Sequence, residues 1–402
     1  MSDRPRHRDL ERFLEPEHRA ILRALPLGAA AALALLTIVG MIVLRPTGEQ
    51  RPDLSLIGIN PDVFEAVVDD VTFGPCSGTT EADGIPCSFV VYRLTQGPDD
   101  GELVDLQFPV SETSPSFEVG DRVLLDHQPE AAPEYRYNYF DRQRRPILAI
   151  VAVIFALAVV LLGRLRGAAA LLGLAASIVI LLQFVMPAIL DGRPPVSVAI
   201  VGASAIAFIA LYAAHGFTRM TTVALLGTLA ALGLTSLLSW IALGIADFTG
   251  FATEETFFLT LVGTIDISGL VLAGVVLGAM GAIDDVTVTQ ASAVWELKRA
   301  RPDLGWKELF RSGLKVGRDH VASTVNTLLL AYAGASMPLL LFFVLADQSL
   351  GTVLSSEIIA TEVLRTLLGS IGLVSAVPFT TWLAAVTAAE LDIDDLDVGH
   401  AH

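Results

Sequence analysis

Eight apolar runs of about 20 residues each constrain this chain more than any other feature. They lie at 25–44, 146–163, 167–190, 196–214, 221–243, 260–283, 320–345 and 366–388. A run of that length matches the hydrocarbon thickness of a bilayer, in which a helix satisfies its own backbone groups. The sequence therefore predicts a mainly α-helical membrane protein with about eight transmembrane helices. Composition agrees: 53% of the 402 residues are hydrophobic, only 17% are charged, and the mean hydropathy is +0.61. Soluble domains carry roughly a quarter charged residues.

Charge sets the expected orientation. Residues 1–24 hold Arg4, Arg6, Arg8, Arg12, Arg19 and Arg23 ahead of the first run. That run is long and lacks an A-x-A-like cleavage site before Arg45, so 25–44 reads as an uncleaved signal anchor. Arg164, Arg166, Arg219 and the basic residues from Lys298 to Arg318 fall on the side of the N-terminus. By the positive-inside rule both termini, the acidic tail 389–402 included, are expected in the cytoplasm. Arg142, Arg144 and Arg145 stand against this assignment, but long translocated segments follow the rule weakly. The net charge of −17 excludes general nucleic-acid binding, which needs a basic face.

Residues 45–145 form a different region, predicted to lie outside the cytoplasm. VFEAVVDDVTF, SFVVYRLT, LVDLQFPV, DRVLLDH and EYRYNYF are β-rich runs divided by Gly, Pro, Asp and Ser. Five short strands fit a small all-β domain, an OB-like or SH3-like barrel. Cys76 and Cys87 are the two cysteines of the chain, and with no zinc tetrad in reach a disulfide is expected. The stretches SSEIIATEVLRTLL and ADFTGFATEETFF read as interfacial helices lying on the outer membrane surface.

The stretch GAIDDVTVTQASAVWEL ends the sixth run with two aspartates and a polar stripe. On a helix, Gly274, Gly278, Gly281, Asp285, Thr289, Ser292 and Glu296 fall near one line. The glycines suit close approach of another helix backbone. The polar continuation, with Asp284, suits either a hydrated surface or a cytoplasm-facing cavity that meets a cation or a proton. Asp284 and Asp285 are weak candidates for a divalent cation, and no cofactor is expected otherwise. Asp266 lies about 27 Å away by helical rise, too far to share one metal site. On the seventh run Arg318 and His320 are placed to meet the aspartates. Ser323, Thr327, Gly334 and Pro338 form a second stripe there, with Asn326 beside it. No nucleotide-binding, zinc-protease or hydrolase motif is present.

The YRYNYFDRQRRPIL junction, GAIDDVTVTQASAVWEL, NTLLLAYAGASMPLLL and GSIGLVSAVPFTTWLAA together resemble the YibE/F-like family of bacterial membrane proteins, from about Tyr135 to Thr387. The resemblance implies that Asp285, Ser292 and Glu296 occupy the family's aspartate, serine and glutamate positions, and Asn326 its asparagine. Asp284 departs from that pattern, which more often has a non-acidic residue there. The family carries no activity that the resemblance can lend. The functional expectation is a secondary transporter or channel for a small solute or cation, with a polar path along helices six and seven. The alternative is a non-transporting scaffold in the lipid bilayer, a homo-oligomer or an accessory subunit binding an envelope partner through the β-domain. A membrane enzyme holding Mg²⁺ on Asp284, Asp285 and Glu296 is a third, weaker reading.

Overall fold

A computed structural model describes residues 16–48, 62–76, 86–250, 256–259 and 265–391. The chain divides into two compact units, residues 53–158 and a larger unit made of 1–52 with 159–402.

In the smaller unit the five predicted runs become five antiparallel strands. They are β1 (Val63–Pro75), β2 (Pro86–Leu94), β3 (Leu103–Pro109), β4 (Arg122–His127) and β5 (Tyr137–Arg142), in the order β3-β2-β1-β4-β5. Alternation dictates the inner face: Ala66 and Val68, then Val90, Tyr92 and Leu94, then Val123 and Leu125 all point into one core. Register shifts at Val68/Asp70 and at Leu124/Leu125 bend the strands. The result is a curled half-barrel rather than a barrel closed by hydrogen bonds. Aromatic rings fill the open side. Phe108 of β3 and Tyr139 of β5 stand 5.8 Å apart edge to face, and Phe117 lies 5.1 Å from each. The expected disulfide is formed: Cys76 and Cys87, with Cα atoms 4.9 Å apart, join the end of β1 to the start of β2.

The larger unit is helical. Its elements are α1 (Pro16–Val43), α2 (Arg145–Ile180, beginning in the smaller unit), α3 (Met186–Leu190), α4 (Pro195–His215) and α5 (Arg219–Ile245). There follow α6 (Ile267–Ala300), α7 (Trp306–Ala335), α8 (Met337–Leu345), α9 (Leu350–Ser355) and α10 (Glu357–Ala389). Among the described residues six helices are long and apolar enough to cross a membrane, or seven if α7 and α8, bent by 63°, count as one span.

Local chemistry explains the breaks. The segment Arg145–Leu190 has 46 residues, about 69 Å as a straight helix and more than twice the hydrocarbon thickness. It is interrupted at Arg164, with φ 52° and ψ −132°. There the chain doubles back, so that Gly167 backs onto the Val159 carbonyl with no room for a side chain. Pro187 supplies no N–H and crowds the carbonyl four residues earlier, and the helix widens to a π turn over Leu181–Val185 just before it. Pro338 sits at the bend between α7 and α8, whereas Pro378 is accommodated inside α10 without a break.

One expectation is corrected. SSEIIATEVLRTLL is not a separate surface helix, because from Glu357 onward it is the first third of the continuous α10. Glu357 begins that helix and accepts hydrogen bonds from Thr249 Oγ1 (2.8 Å) and the Gly250 amide. Of ADFTGFATEETFF, residues 251–255 lie outside the described residues, and Thr256–Leu259 is helical.

The centre of the unit is α6, packed by α4, α5, α7 and α10. Where helices are apolar on every side, association depends on close fit. That fit is tightest between α5 and α10, where Gly227 faces the Thr380 hydroxyl and Gly372 faces that of Thr235.

Candidate functional site

Helix α6 starts at Asp266, whose carboxylate accepts the Gly269 amide at 2.9 Å. This residue is a helix cap of the ordinary kind. From Ile267 the helix runs 34 residues, about 51 Å, so its C-terminal third exceeds the hydrocarbon thickness.

The predicted line of small and polar residues follows the uncovered edge of α6. Gly278, Gly281, Asp285, Thr289 and Glu296 are exposed, and Gly274 and Ser292 half-buried. No helix backbone closes on the glycines. A β-carbon placed on Gly274 would meet the Arg365 guanidinium at 3.4 Å, one on Gly278 the Tyr332 hydroxyl at 2.7 Å, and one on Gly281 nothing within 4 Å. Thr289 Oγ1 donates to the Asp285 carbonyl at 2.8 Å, and Glu296 pairs with Arg299.

The polar stripe of α7 does not face this line. Arg318, Ser323, Asn326, Thr327 and Gly334 are exposed, and Thr327 Oγ1 donates to the Ser323 carbonyl at 3.1 Å. The inward face of α7 is apolar, with Leu314, Val321 and Val325 against the core. His320 is half-buried, with a buried Nε2 that has no partner. Among the described ion pairs none joins Arg318 or His320 to Asp284 or Asp285. The two stripes, legible in the sequence as one path, are not brought together.

Asp284 has a different neighbourhood. Consecutive residues on a helix diverge by 100°, so Asp285 takes the uncovered edge while Asp284 turns inward. It lies at one end of a partly open groove of about 410 Å³ lined by the second arm of α2, α4 and α6. Helix α4 contributes Ile206, Ala210, Leu211 and His215, and α6 contributes Leu277, Met280, Gly281 and Asp284. The arm of α2 contributes Ala170, Leu174, Ser177 and Leu181. Gly173 permits the approach, since a β-carbon there would come within 3.2 Å of the Ala210 α-carbon. Ser177 spends its hydroxyl proton on the Gly173 carbonyl at 2.8 Å. Asp284 Oδ1 is fully buried and has no hydrogen-bond partner. The residue as a whole is half-buried; a buried carboxylate oxygen without a partner is costly, and acids in apolar surroundings are placed where an aqueous path or a counter-charge meets them.

The matching stretch of the chain contains this cavity. Residues 151–390 match the family described as YibE/F-like protein. The chain belongs to the YibE/F-like family. No curated protein and no solved structure matches it. The match begins after the half-barrel and takes in α4 through α10 whole, so all the helices around Asp284 fall within the YibE/F-like region. Among the positions carried over from the resemblance, Asp285, Glu296 and Asn326 are exposed and Ser292 is half-buried. They do not converge on one point.

A second polar group inside this YibE/F-like bundle was not singled out by sequence. Thr228 of α5 and Thr287 of α6 share a 2.6 Å hydrogen bond. The Gln290 side-chain amide donates to the Gly313 carbonyl and to Thr381 Oγ1, each at 2.7 Å. Gly317 leaves the room that the Gln290 oxygen occupies. Thr287 and Gln290 lie within the polar stretch DDVTVTQAS but off its line of small and polar residues, and the threonines on α5 and α10 carry no spacing that marks them. Among the described residues no group of three or more His, Cys, Asp or Glu is placed to hold a metal ion.

Proposed function

We propose that this YibE/F-like protein is a multi-pass integral membrane protein of the bacterial plasma membrane, a secondary transporter or channel for a small solute or cation. In this reading both termini are cytoplasmic, and the solute binds in the cavity headed by Asp284. Membership of the family and the long apolar helices support the membrane assignment. The single observation that carries the transport reading is the Asp284 carboxylate at the end of a groove, its Oδ1 buried without a hydrogen-bond partner. A static scaffold has no use for an uncompensated charge at that place. The polar path is thereby moved from helices six and seven to the space between α2, α4 and α6. Asp284 is 17 residues beyond Ile267, about 26 Å along α6. The cavity mouth then lies at the cytoplasmic boundary of the bilayer, beside His215.

Both native cysteines are joined in the disulfide, so one introduced cysteine is the sole free thiol. Ser177→Cys and Gly281→Cys are expected to react with an impermeant maleimide from the cytoplasmic side, and Asp284→Asn to abolish proton- or sodium-driven flux in proteoliposomes. Protection of both thiols from either side, with flux unchanged in Asp284→Asn, would sink the reading. The half-barrel would then become the part of the molecule to test, as a partner-binding module.

A further inference from the structure

We infer that the Asp284 cavity is a binding site for a lipophilic organic monocation, such as a quaternary ammonium, rather than for a bare metal ion. This rests on the transport reading for its purpose, though not for its chemistry.

The donor set makes the distinction. A divalent cation demands about six or more oxygen ligands at short range. This cavity offers one carboxylate, the rim imidazole of His215 and a serine hydroxyl already bonded to its own helix. The remaining wall is aliphatic: Leu174, Leu181, Ile206, Leu211, Leu277 and Met280. Such a wall cannot replace the hydration shell that a metal ion gives up. It does suit a solute whose charge is already wrapped in carbon. A quaternary ammonium donates no hydrogen bond, so it needs from the protein only a counter-charge and apolar contact, and Asp284 Oδ1 with the aliphatic wall supplies both. Anions are repelled by the same carboxylate, and a neutral solute would leave it buried without a partner. The volume of about 410 Å³ is in the range of small-molecule sites, which are mostly apolar with a few oriented polar groups. Gly281 leaves that volume open, because nothing stands within 4 Å of where its side chain would be.

The test compares two probes of nearly the same shape, benzyltrimethylammonium and its neutral carbon analogue neopentylbenzene, on the full-length protein in nanodiscs. Wild type is expected to bind the cation saturably and to prefer it over the neutral probe, and Mg²⁺ is expected not to compete. Asp284→Asn should weaken cation binding by about 30-fold or more, as for a charge pair deprived of one partner, and leave the neutral probe unaffected. Gly281→Leu, which fills the cavity, should block both probes while Asp284 remains. Equal binding of the cation by wild type and Asp284→Asn overturns the inference, as does displacement by Mg²⁺ at comparable concentration. Absence of cation binding alongside Asp284-dependent proton flux would overturn the inference and leave the transport reading standing. Saturable, Asp284-dependent binding without any flux would do the reverse.

Discussion

At the scale of single residues, the interior of the bundle separates two kinds of hydrogen bond. Thr228 and Thr287 each keep a local carbonyl acceptor besides each other. Thr228→Val is therefore expected to cost only about 0.6 kcal/mol, the average for interhelical hydrogen bonds in membranes. Gln290 differs because its amide is the link between α6, α7 and α10. Gln290→Leu removes both of these bonds and forces a branched chain against Gly317, with an expected loss of about 2–3 kcal/mol. Unfolding of both variants in the same detergent checks the ranking, and equal losses would contradict it. Asp191, between α3 and α4, gives a pH dependence. Its carboxylate accepts the Gly48 amide at 2.8 Å and also bonds Thr47, and the Gly48 bond above all holds its pKa below the ordinary carboxylate value. A lowered folded-state value means that the tether contributes fully above the unfolded carboxylate range. It is lost as pH falls through the lowered value. Measured against the unfolded-chain rate at the same pH, the Thr47 and Gly48 amides should thus be protected from exchange at neutral pH and lose that protection only in acid, and Asp191→Asn should remove that pH dependence. A protection factor that does not change in acid would rule the tether out.

At the scale of elements, the turn inside α2 is the most demanding. Arg164 holds a positive φ that costs a non-glycine residue of order 1–3 kcal/mol. Gly167 lets the returning chain touch the Val159 carbonyl. Arg164→Gly is expected to leave the fold intact and raise thermal stability, while Gly167→Val should lower it by forcing the two arms apart. Stabilisation by Gly167→Val would show that the chain does not double back there. The strands are simpler, because alternation and the bulges at Val68/Asp70 and Leu124/Leu125 dictate which side chains enter the aromatic core.

At the scale of the whole molecule, the proposed orientation follows from charge and can be checked from outside. Lys315→Cys, on the basic side, and Gln348→Cys, after α8, are both exposed positions. Impermeant maleimide applied to intact cells is expected to label Gln348→Cys and spare Lys315→Cys, with the reverse in inside-out vesicles. Labelling of both from one side would refute the assignment that puts the Asp284 cavity mouth in the cytoplasm.

Much of this architecture was legible because each signal answers to one local cause. Apolar runs of bilayer length must be helical, since only internal hydrogen bonding satisfies a backbone in hydrocarbon. Alternating runs with turn residues between them must be strands, and two cysteines outside the apolar runs point to one disulfide. The site was legible only in part. Asp284 stood out as an acid at the end of an apolar run, but its neighbour Asp285 looked equivalent, and Gln290 drew no notice. Which of two adjacent residues faces inward depends on the rotation of α6 about its own axis. In water that rotation is written in the sequence, because one face is polar and the other apolar. On α6 small and polar residues suit a partner helix, an aqueous path or an uncovered edge, so the pattern alone does not say which face turns inward. Only the packing of α4, α5, α7 and α10 around α6 decided that Asp284 enters a cavity, that Asp285 does not, and that the glycine line remains uncovered.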